Sequence, residues 1–315
     1  MNKKNNKNKH NNKQPNDWAI ISKIVESSFI DGPGHRMVVF FQGCNLKCIY
    51  CHNPETTGIC KSCFKCISSC PSKALTLTPT LTLTTNNKQI IAHNQQLCLK
   101  CDLCLKVCPN HSSPLCYKIT IEQLINRIES EKNFIDGITL SGGEATLYSD
   151  FIFNLFSKIK ARSTLNMNMN MNMNMNLSLF IDTNGYNKKS VFDKLSSVTD
   201  GFIFDLKAFD PKIHKKLTGK DNETILKNIK LISEKKLLYE IRTVFIEGIN
   251  DSKEEISSIV NFIKRLNDYT IFKLTPFRPQ GVVGDLKNHA PYPQQKLNIL
   301  IEESCKILGG NRVRY

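Results

Sequence analysis

Phe40-Phe41-Gln42-Gly43-Cys44-Asn45-Leu46-Lys47-Cys48-Ile49-Tyr50-Cys51-His52-Asn53-Pro54 places three cysteines at C-x3-C-x2-C spacing, with an aromatic residue just before the last. Three thiolates hold three irons of a four-iron, four-sulfur cube and leave the fourth iron without a protein ligand. An open metal position marks a reactive rather than a purely structural site. Half of a zinc site is the plainer reading, and it would need a fourth ligand nearby. Upstream, Met37 to Gln42 is a continuous apolar run of the kind buried in a parallel sheet. The cysteine loop therefore hangs from the C-terminal end of a strand, where the active sites of parallel α/β barrels lie. Before that strand come an apolar-rich lead-in, Trp18 to Glu26, and the turn Ile30-Asp31-Gly32-Pro33-Gly34-His35-Arg36.

The chain has 315 residues and 40% apolar content, enough for one large α/β domain or a domain with an insertion. Twelve of its thirteen cysteines fall between Cys44 and Cys116, bunched at gaps that metal clusters require and disulfide frameworks rarely show. With no signal peptide and no apolar run of membrane-spanning length, the expectation is a soluble protein of the reducing cytoplasm, away from membranes. The formal charge is +15, and five of the 43 basic residues lie in the first thirteen positions. That Asn- and Lys-rich opening, residues 1–17, reads as a disordered tail. No aromatic residues are interleaved with it, so a nucleic-acid partner is not expected.

Two further cysteine runs follow: Cys60, Cys63, Cys66, Cys70-Pro71 and, after a Thr-rich spacer, Cys98, Cys101, Cys104, Cys108-Pro109. Both are C-x2-C-x2-C-x3-C-P, the run of bacterial two-cluster ferredoxins, in which the fourth cysteine of each run ligates the other cluster. One [4Fe-4S] cluster would take Cys60, Cys63, Cys66 and Cys108, the other Cys98, Cys101, Cys104 and Cys70. Residues 54–118 are thus read as a small ferredoxin-like insert, and Cys116 and Cys305 as incidental thiols.

From Thr120 the pattern turns helical, with Thr120 and Gln123 as a capping-box pair. Five strand candidates follow, at Gly137–Ser141, Ser178–Asp182, Gly201–Asp205, Tyr239–Phe245 and Thr270–Thr275. Helical patterns separate most of them, the clearest opening with Ser252 and Glu255 as a second capping box. With Met37–Gln42 this makes six β/α units and an α/β fold, a partial (β/α)6 barrel over residues 18–53 and 119–315. Asn166 to Asn176 alternates Asn and Met without a β-branched residue and reads as a low-complexity loop.

Polar groups collect at the predicted strand ends: Ser141-Gly142-Gly143-Glu144, Asp182-Thr183-Asn184-Gly185, Asp205-Leu206-Lys207 and Thr275-Pro276-Phe277-Arg278. Each alone is as often a turn or a helix cap. Together with the cysteine loop they ring one barrel mouth. The cysteine spacing resembles that of radical S-adenosylmethionine (SAM) enzymes, and the ring suits SAM. Lys207 and Arg278 are candidate cations for its carboxylate. The Gly142–Gly143 backbone is placed for its amino group, and Asp182 and Asp205 for a shared monovalent cation near its methionine end.

The chain also resembles the glycyl radical enzyme activating enzymes, on Asp31-Gly32-Pro33-Gly34, Phe41-Gln42-Gly43-Cys44, Tyr50-Cys51-His52-Asn53-Pro54, the three strand-end groups from Ser141 to Lys207, and His214-Lys215-Lys216-Leu217-Thr218-Gly219-Lys220-Asp221-Asn222. Within them the insert and the Leu217–Asn222 run look most like YjjW-type proteins. The resemblance implies an anaerobic oxidoreductase that cleaves SAM reductively and makes a glycyl radical on a partner enzyme, fed by reduced flavodoxin or ferredoxin. It implies that Cys44, Cys48 and Cys51 ligate the SAM cluster, that Tyr50, Cys51 and His52 border SAM, and that Gly143 meets its amino group. Asp205, Leu206 and Lys207 would line its methionine end, and Glu144 and Thr183 would belong to the same mouth. Arg278 stands where family members often carry His. A radical SAM enzyme acting on a small molecule or peptide, and a ferredoxin-type electron carrier, are the competing readings.

Overall fold

A computed structural model of the chain describes residues 17–78, 90–168 and 177–315. The readings of the tail up to residue 16, and of the Asn–Met run from 169 to 176, lie outside those residues. Asp17, counted with the tail, is held by its carbonyl, which accepts from the Ile121 amide at 3.1 Å.

The lead-in is itself a strand, β1 (Trp18–Ser28), antiparallel to β2 (Arg36–Phe41). Next come α1 (Lys65–Ser68), the antiparallel hairpin of β3 (Leu75–Thr78) and β4 (Ile90–His93), α2 (Leu103–Lys106) and β5 (Tyr117–Thr120). The alternating part follows as α3 (Ile121–Glu131), β6 (Gly137–Gly142), α4 (Ser149–Asn168), β7 (Ser178–Thr183), α5 (Lys189–Ser196) and β8 (Gly201–Asp205). It closes with α6 (Pro211–Thr218), α7 (Glu223–Glu234), β9 (Leu238–Phe245), α8 (Lys253–Leu266), β10 (Ile271–Pro276), α9 (Gln294–Leu308) and β11 (Val313–Arg314). One sheet runs β11-β10-β9-β8-β7-β6-β2-β1-β5. Its members from β2 to β11 are parallel, and β1 and β5 add an antiparallel edge. The six expected parallel strands are all present. Beyond them lie β1, β5 and β11, with Tyr117 and Lys118, assigned to the insert from sequence, already in the sheet.

The parallel strands are buried because helices cover their outer face. Phe192 of α5 stacks on Phe204 at 5.6 Å between ring centroids, and Ile225, Ile229 and Ile232 of α7 join the same core. The capping box of α3 forms in both directions. That of α8 does not. Ser252 caps the Glu255 amide at 3.2 Å, but the Glu255 carboxylate turns to the backbone amides of Phe209 and Asp210. Two amides in a half-covered loop hold a carboxylate better than the single amide a capping box offers.

The sheet curls. On a flat sheet β9 would lie about 19 Å from β2, four spacings of roughly 4.8 Å away. Yet Arg242 of β9 reaches the β1–β2 turn, with Nη1 3.6 Å from Asp31 and Nη2 donating to the Ile30 carbonyl at 2.8 Å. This fits the partial barrel expected from the alternation. At its N-terminal end the fully buried Arg36 donates to Thr139 Oγ1, the carbonyls of Pro33, Ile138 and Ser178, and Ser178 Oγ, at 2.7–2.9 Å. Gly137 makes the room, since a Cβ there would meet Arg36 Nη1 at 2.6 Å. Burial lowers the Arg36 pKa to about 10, and the acceptors of these five hydrogen bonds are all neutral. Among the described residues no helix is long and apolar enough to cross a membrane.

Candidate active site

The cysteine loop leaves β2 through Gly43, whose φ of +102° suits glycine. Its backbone is tied on two sides. The amides of Gly43 and Cys44 donate to the carbonyls of Thr56 and Thr57 at 2.7 and 2.9 Å, and those of Lys47 and Ile49 to Thr218 and Leu217 at 3.0 and 2.9 Å. From β7, Asn184 Nδ2 donates to Asn45 Oδ1 at 2.9 Å and lies 3.7 Å from Cys44 Sγ. Burial pushes the Cys44 thiol up to about 12 and the Cys48 thiol to about 11, with Lys207 opposing the shift at Cys48. A bound iron reverses that preference, because a coordinated thiol is deprotonated outright.

The loop forms one wall of a cavity of about 190 Å³. Cys44, Cys48, Cys51, Tyr50 and His52 line it on that side. Ser141, Gly142, Gly143 and Glu144 face it from the end of β6, Asp182, Thr183 and Asn184 from β7, Asp205 and Lys207 from β8, and Val244 from β9. Gly143 has no room for a side chain, as a Cβ would meet the Gly43 carbonyl oxygen at 2.3 Å and that of Thr56 at 2.7 Å. Both oxygens of Glu144 are engaged. They accept from the amide and hydroxyl of Thr146 (3.0 and 2.6 Å), the Thr183 hydroxyl (2.7 Å) and the Asn184 amide (2.8 Å). Burial still raises its pKa against those four bonds. Glu144 therefore fixes the wall rather than offering a free carboxylate.

Asp182 Oδ2 accepts from Ser141 Oγ at 2.8 Å and sits 3.8 Å from Arg242 Nη1, while the buried Oδ1 has no hydrogen-bond partner. Burial pushes this carboxyl up to about 7, with Arg242 pulling the other way. Lys207 Nζ pairs with Asp205 Oδ2 at 2.6 Å and lies 5.8 Å from the centre of the Tyr50 ring. Burial opposes its charge, but Asp205 and Tyr50 outweigh that, and its pKa stands well above the ordinary value. Tyr50 Oη is buried without a partner.

Two expected residues are elsewhere. Leu206 is fully buried in the core and does not line the cavity. The Arg278 side chain is exposed, and its carbonyl accepts from His52 Nε2 at 2.8 Å, so that loop contributes backbone and no cation. The cation that sequence reasoning missed is Arg242, bound to Asp31, Asp182 and Glu240 beneath the cavity. Its signal was present: Glu240 and Arg242 are charged at alternate positions of an apolar strand, which puts both on one face.

The insert cysteines gather in two small pockets. One is lined by Cys60, Cys63, Cys66 and Cys108, the other by Cys70, Cys98, Cys101 and Cys104. Each run thus sends its last cysteine to the other pocket. Among the described residues no three His, Cys, Asp or Glu side chains are set to hold a single metal ion. Cys116 Sγ donates to the Ser113 carbonyl at 2.9 Å, and Cys305 packs against the core from α9.

A family model described as the radical SAM superfamily matches residues 38–263. The trans-4-hydroxy-L-proline dehydratase activating enzyme of Clostridioides difficile is 31% identical over 91% of this chain and 93% of its own length. The choline trimethylamine-lyase activating enzyme of Oleidesulfovibrio alaskensis is 31% identical over 84% and 85%. The pyruvate formate-lyase-activating enzyme of Staphylococcus epidermidis is 29% identical over 91% and 92%. The chain belongs to the radical SAM superfamily and, within it, to the activating-enzyme family. Membership implies a [4Fe-4S] cluster and SAM. The partnerless Tyr50 Oη and Asp182 Oδ1, and the three cysteines on one wall, fit such a pair of groups.

Proposed function

We propose that this protein is a glycyl radical enzyme activating enzyme whose substrate is a glycine of a partner protein. The observation that carries the reading is the single cavity that joins Cys44, Cys48 and Cys51 to the polar ends of three parallel strands. Cys44, Cys48 and Cys51 would hold a [4Fe-4S] cluster there, and that cluster, once reduced, would supply the single electron for cleaving SAM to methionine and a 5′-deoxyadenosyl radical, the species that would take hydrogen from the glycine. The chain's own part is to bind and orient. Cys44, Cys48 and Cys51 would ligate three irons, and the Gly142–Gly143 backbone on the cavity wall is the segment we assign to the SAM amino group. The Lys207–Asp205 pair presents both signs of charge, of which the ammonium suits a carboxylate. Asp182, with Oδ1 uncommitted, and Asp205 are the ligands we assign to a monovalent cation.

The two cysteine pockets of the insert each suit a further [4Fe-4S] cluster, in the crossed arrangement of a ferredoxin-like unit. A single zinc would want four sulfurs at about 2.3 Å from one point, whereas a cube wants them spread around a body. Anaerobically reconstituted protein, reduced and given SAM, should yield 5′-deoxyadenosine and methionine. Alanine at Cys44, Cys48 and Cys51 should abolish this while the insert keeps its iron. Addition of the partner should give a glycyl radical signal by electron paramagnetic resonance. A fully loaded sample that never cleaves SAM ends the proposal.

A further inference from the structure

A groove of about 1030 Å³ runs between the β5 edge of the sheet and the insert, away from the cavity of the cysteine loop. Exposed Lys23, Lys100, Lys118 and Arg127 stand along it, against Asp102 and against Glu26, which Arg127 pairs. Cys98 belongs to its wall and also to the pocket of Cys70, Cys101 and Cys104. Beside Cys98, Leu97 and Leu99 are 50% and 67% exposed. One cysteine pocket therefore opens on a basic surface with an apolar rim.

The other pocket, of whose cysteines Cys60 and Cys63 are exposed, is the one tied to the reactive loop. Cys108 Sγ accepts from the Ser112 amide at 3.4 Å, the neighbouring His111 carbonyl accepts from Gly58 at 3.0 Å, and the Thr57 carbonyl accepts from Cys44 at 2.9 Å. Gly58 packs so closely on this segment that a Cβ would lie 1.7 Å from the Asn110 carbonyl oxygen. A few hydrogen bonds and peptide units thus join Cys108 to the first cysteine of the reactive loop. The pocket of Cys98 thus borders the groove, and the pocket of Cys108 adjoins the loop.

We infer that the groove is the docking site of an acidic one-electron carrier protein, which delivers its electron at Cys98. The inference rests on the proposed function for the clusters. The donor loses one electron, the group held by Cys70, Cys98, Cys101 and Cys104 gains it, and no bond or proton moves. Charge complementarity selects the occupant. Electron-transfer complexes are small and depend on steering by opposite charge, and a lysine-lined groove beside a redox centre supplies that.

The test mixes the reconstituted full-length protein with reduced flavodoxin, an acidic carrier, in an anaerobic stopped-flow instrument. The wild-type rate should fall steeply with salt, and Lys100→Glu with Lys118→Glu should slow it by about tenfold or more at low salt. Iron content, and the extent of reduction by dithionite, should match the wild type. An unchanged rate in the double variant overturns the inference, as does a wild-type protein that dithionite reduces and flavodoxin does not. SAM cleavage under dithionite on the same samples tests the proposed function separately. Its absence in protein that accepts electrons from the carrier removes that reading and leaves the docking site standing.

Discussion

Asn184 and Asn45 are joined side chain to side chain at 2.9 Å, and this bond fastens the three-cysteine loop to the end of β7. Asn45 passes the connection on by donating to the Tyr186 carbonyl. The loop contains no helix or strand of its own between β2 and the short 3-10 turn at Pro54–Thr56, so such bonds decide its shape. Asn184→Ala should lower stability by about 1 kcal/mol, the usual net worth of one hydrogen bond. It should also leave the loop less able to hold iron. Urea unfolding of the apoprotein and iron content after reconstitution measure the two effects, and equal values for variant and wild type would contradict the role.

Gly143→Ala tests the closeness of the Gly43 backbone to the end of β6. The added methyl must displace backbone rather than a flexible side chain, at a cost of about 1–3 kcal/mol. SAM affinity measured by equilibrium dialysis should drop with it. Ala at Gly310, where nothing lies within 4 Å of the new Cβ and φ is not left-handed either, is the control for a methyl added without a clash.

Arg36→Met removes the guanidinium from the closed end of the barrel and leaves the carbonyls of Pro33, Ile138 and Ser178 without that donor. Each unsatisfied buried group costs about 1–3 kcal/mol, so a total loss above 3 kcal/mol is expected in the denaturation midpoint. A variant as stable as the wild type would mean that water replaces the guanidinium.

His214 gives the protein a pH dependence. Its Nδ1 donates to the Lys220 carbonyl at 2.8 Å, its buried Nε2 has no partner, and burial lowers its pKa below the ordinary 6.5. The unfolded chain therefore binds this proton more readily than the folded one. Stability from the group is complete above pH 6.5 and is lost as pH falls from there through the lower folded value. His214→Gln should flatten the fall in thermal stability between pH 7 and 5. Because α6 carries the carbonyls that hold Lys47 and Ile49, iron retention should follow the same curve.

The parallel strands were legible because helices bury their outer faces, leaving near-continuous apolar runs that end in polar groups. The edge was not. In β1, Ser22, Lys23 and Glu26 interrupt the apolar pattern, and register shifts after Ile21 and Val25 break the alternation that marks a strand. Most of the cavity wall was readable from the residues that follow each strand. The place of Arg278 was not legible, because nothing local says that His52 takes its carbonyl and leaves the guanidinium outside. Arg242 was missed because its partners come from the β1–β2 turn and β7, contacts that only the curl of the sheet creates.

The exchange of last cysteines between the two runs has a consequence for how the protein is built. Neither pocket is complete until both runs are in place, since Cys70 and Cys108 each belong to the far side. If each pocket holds the cluster proposed for it, filling the first positions the fourth ligand of the second. Maturation of the insert should accordingly be cooperative, with half-filled molecules scarce at every stage of iron delivery and damage to one centre releasing its neighbour.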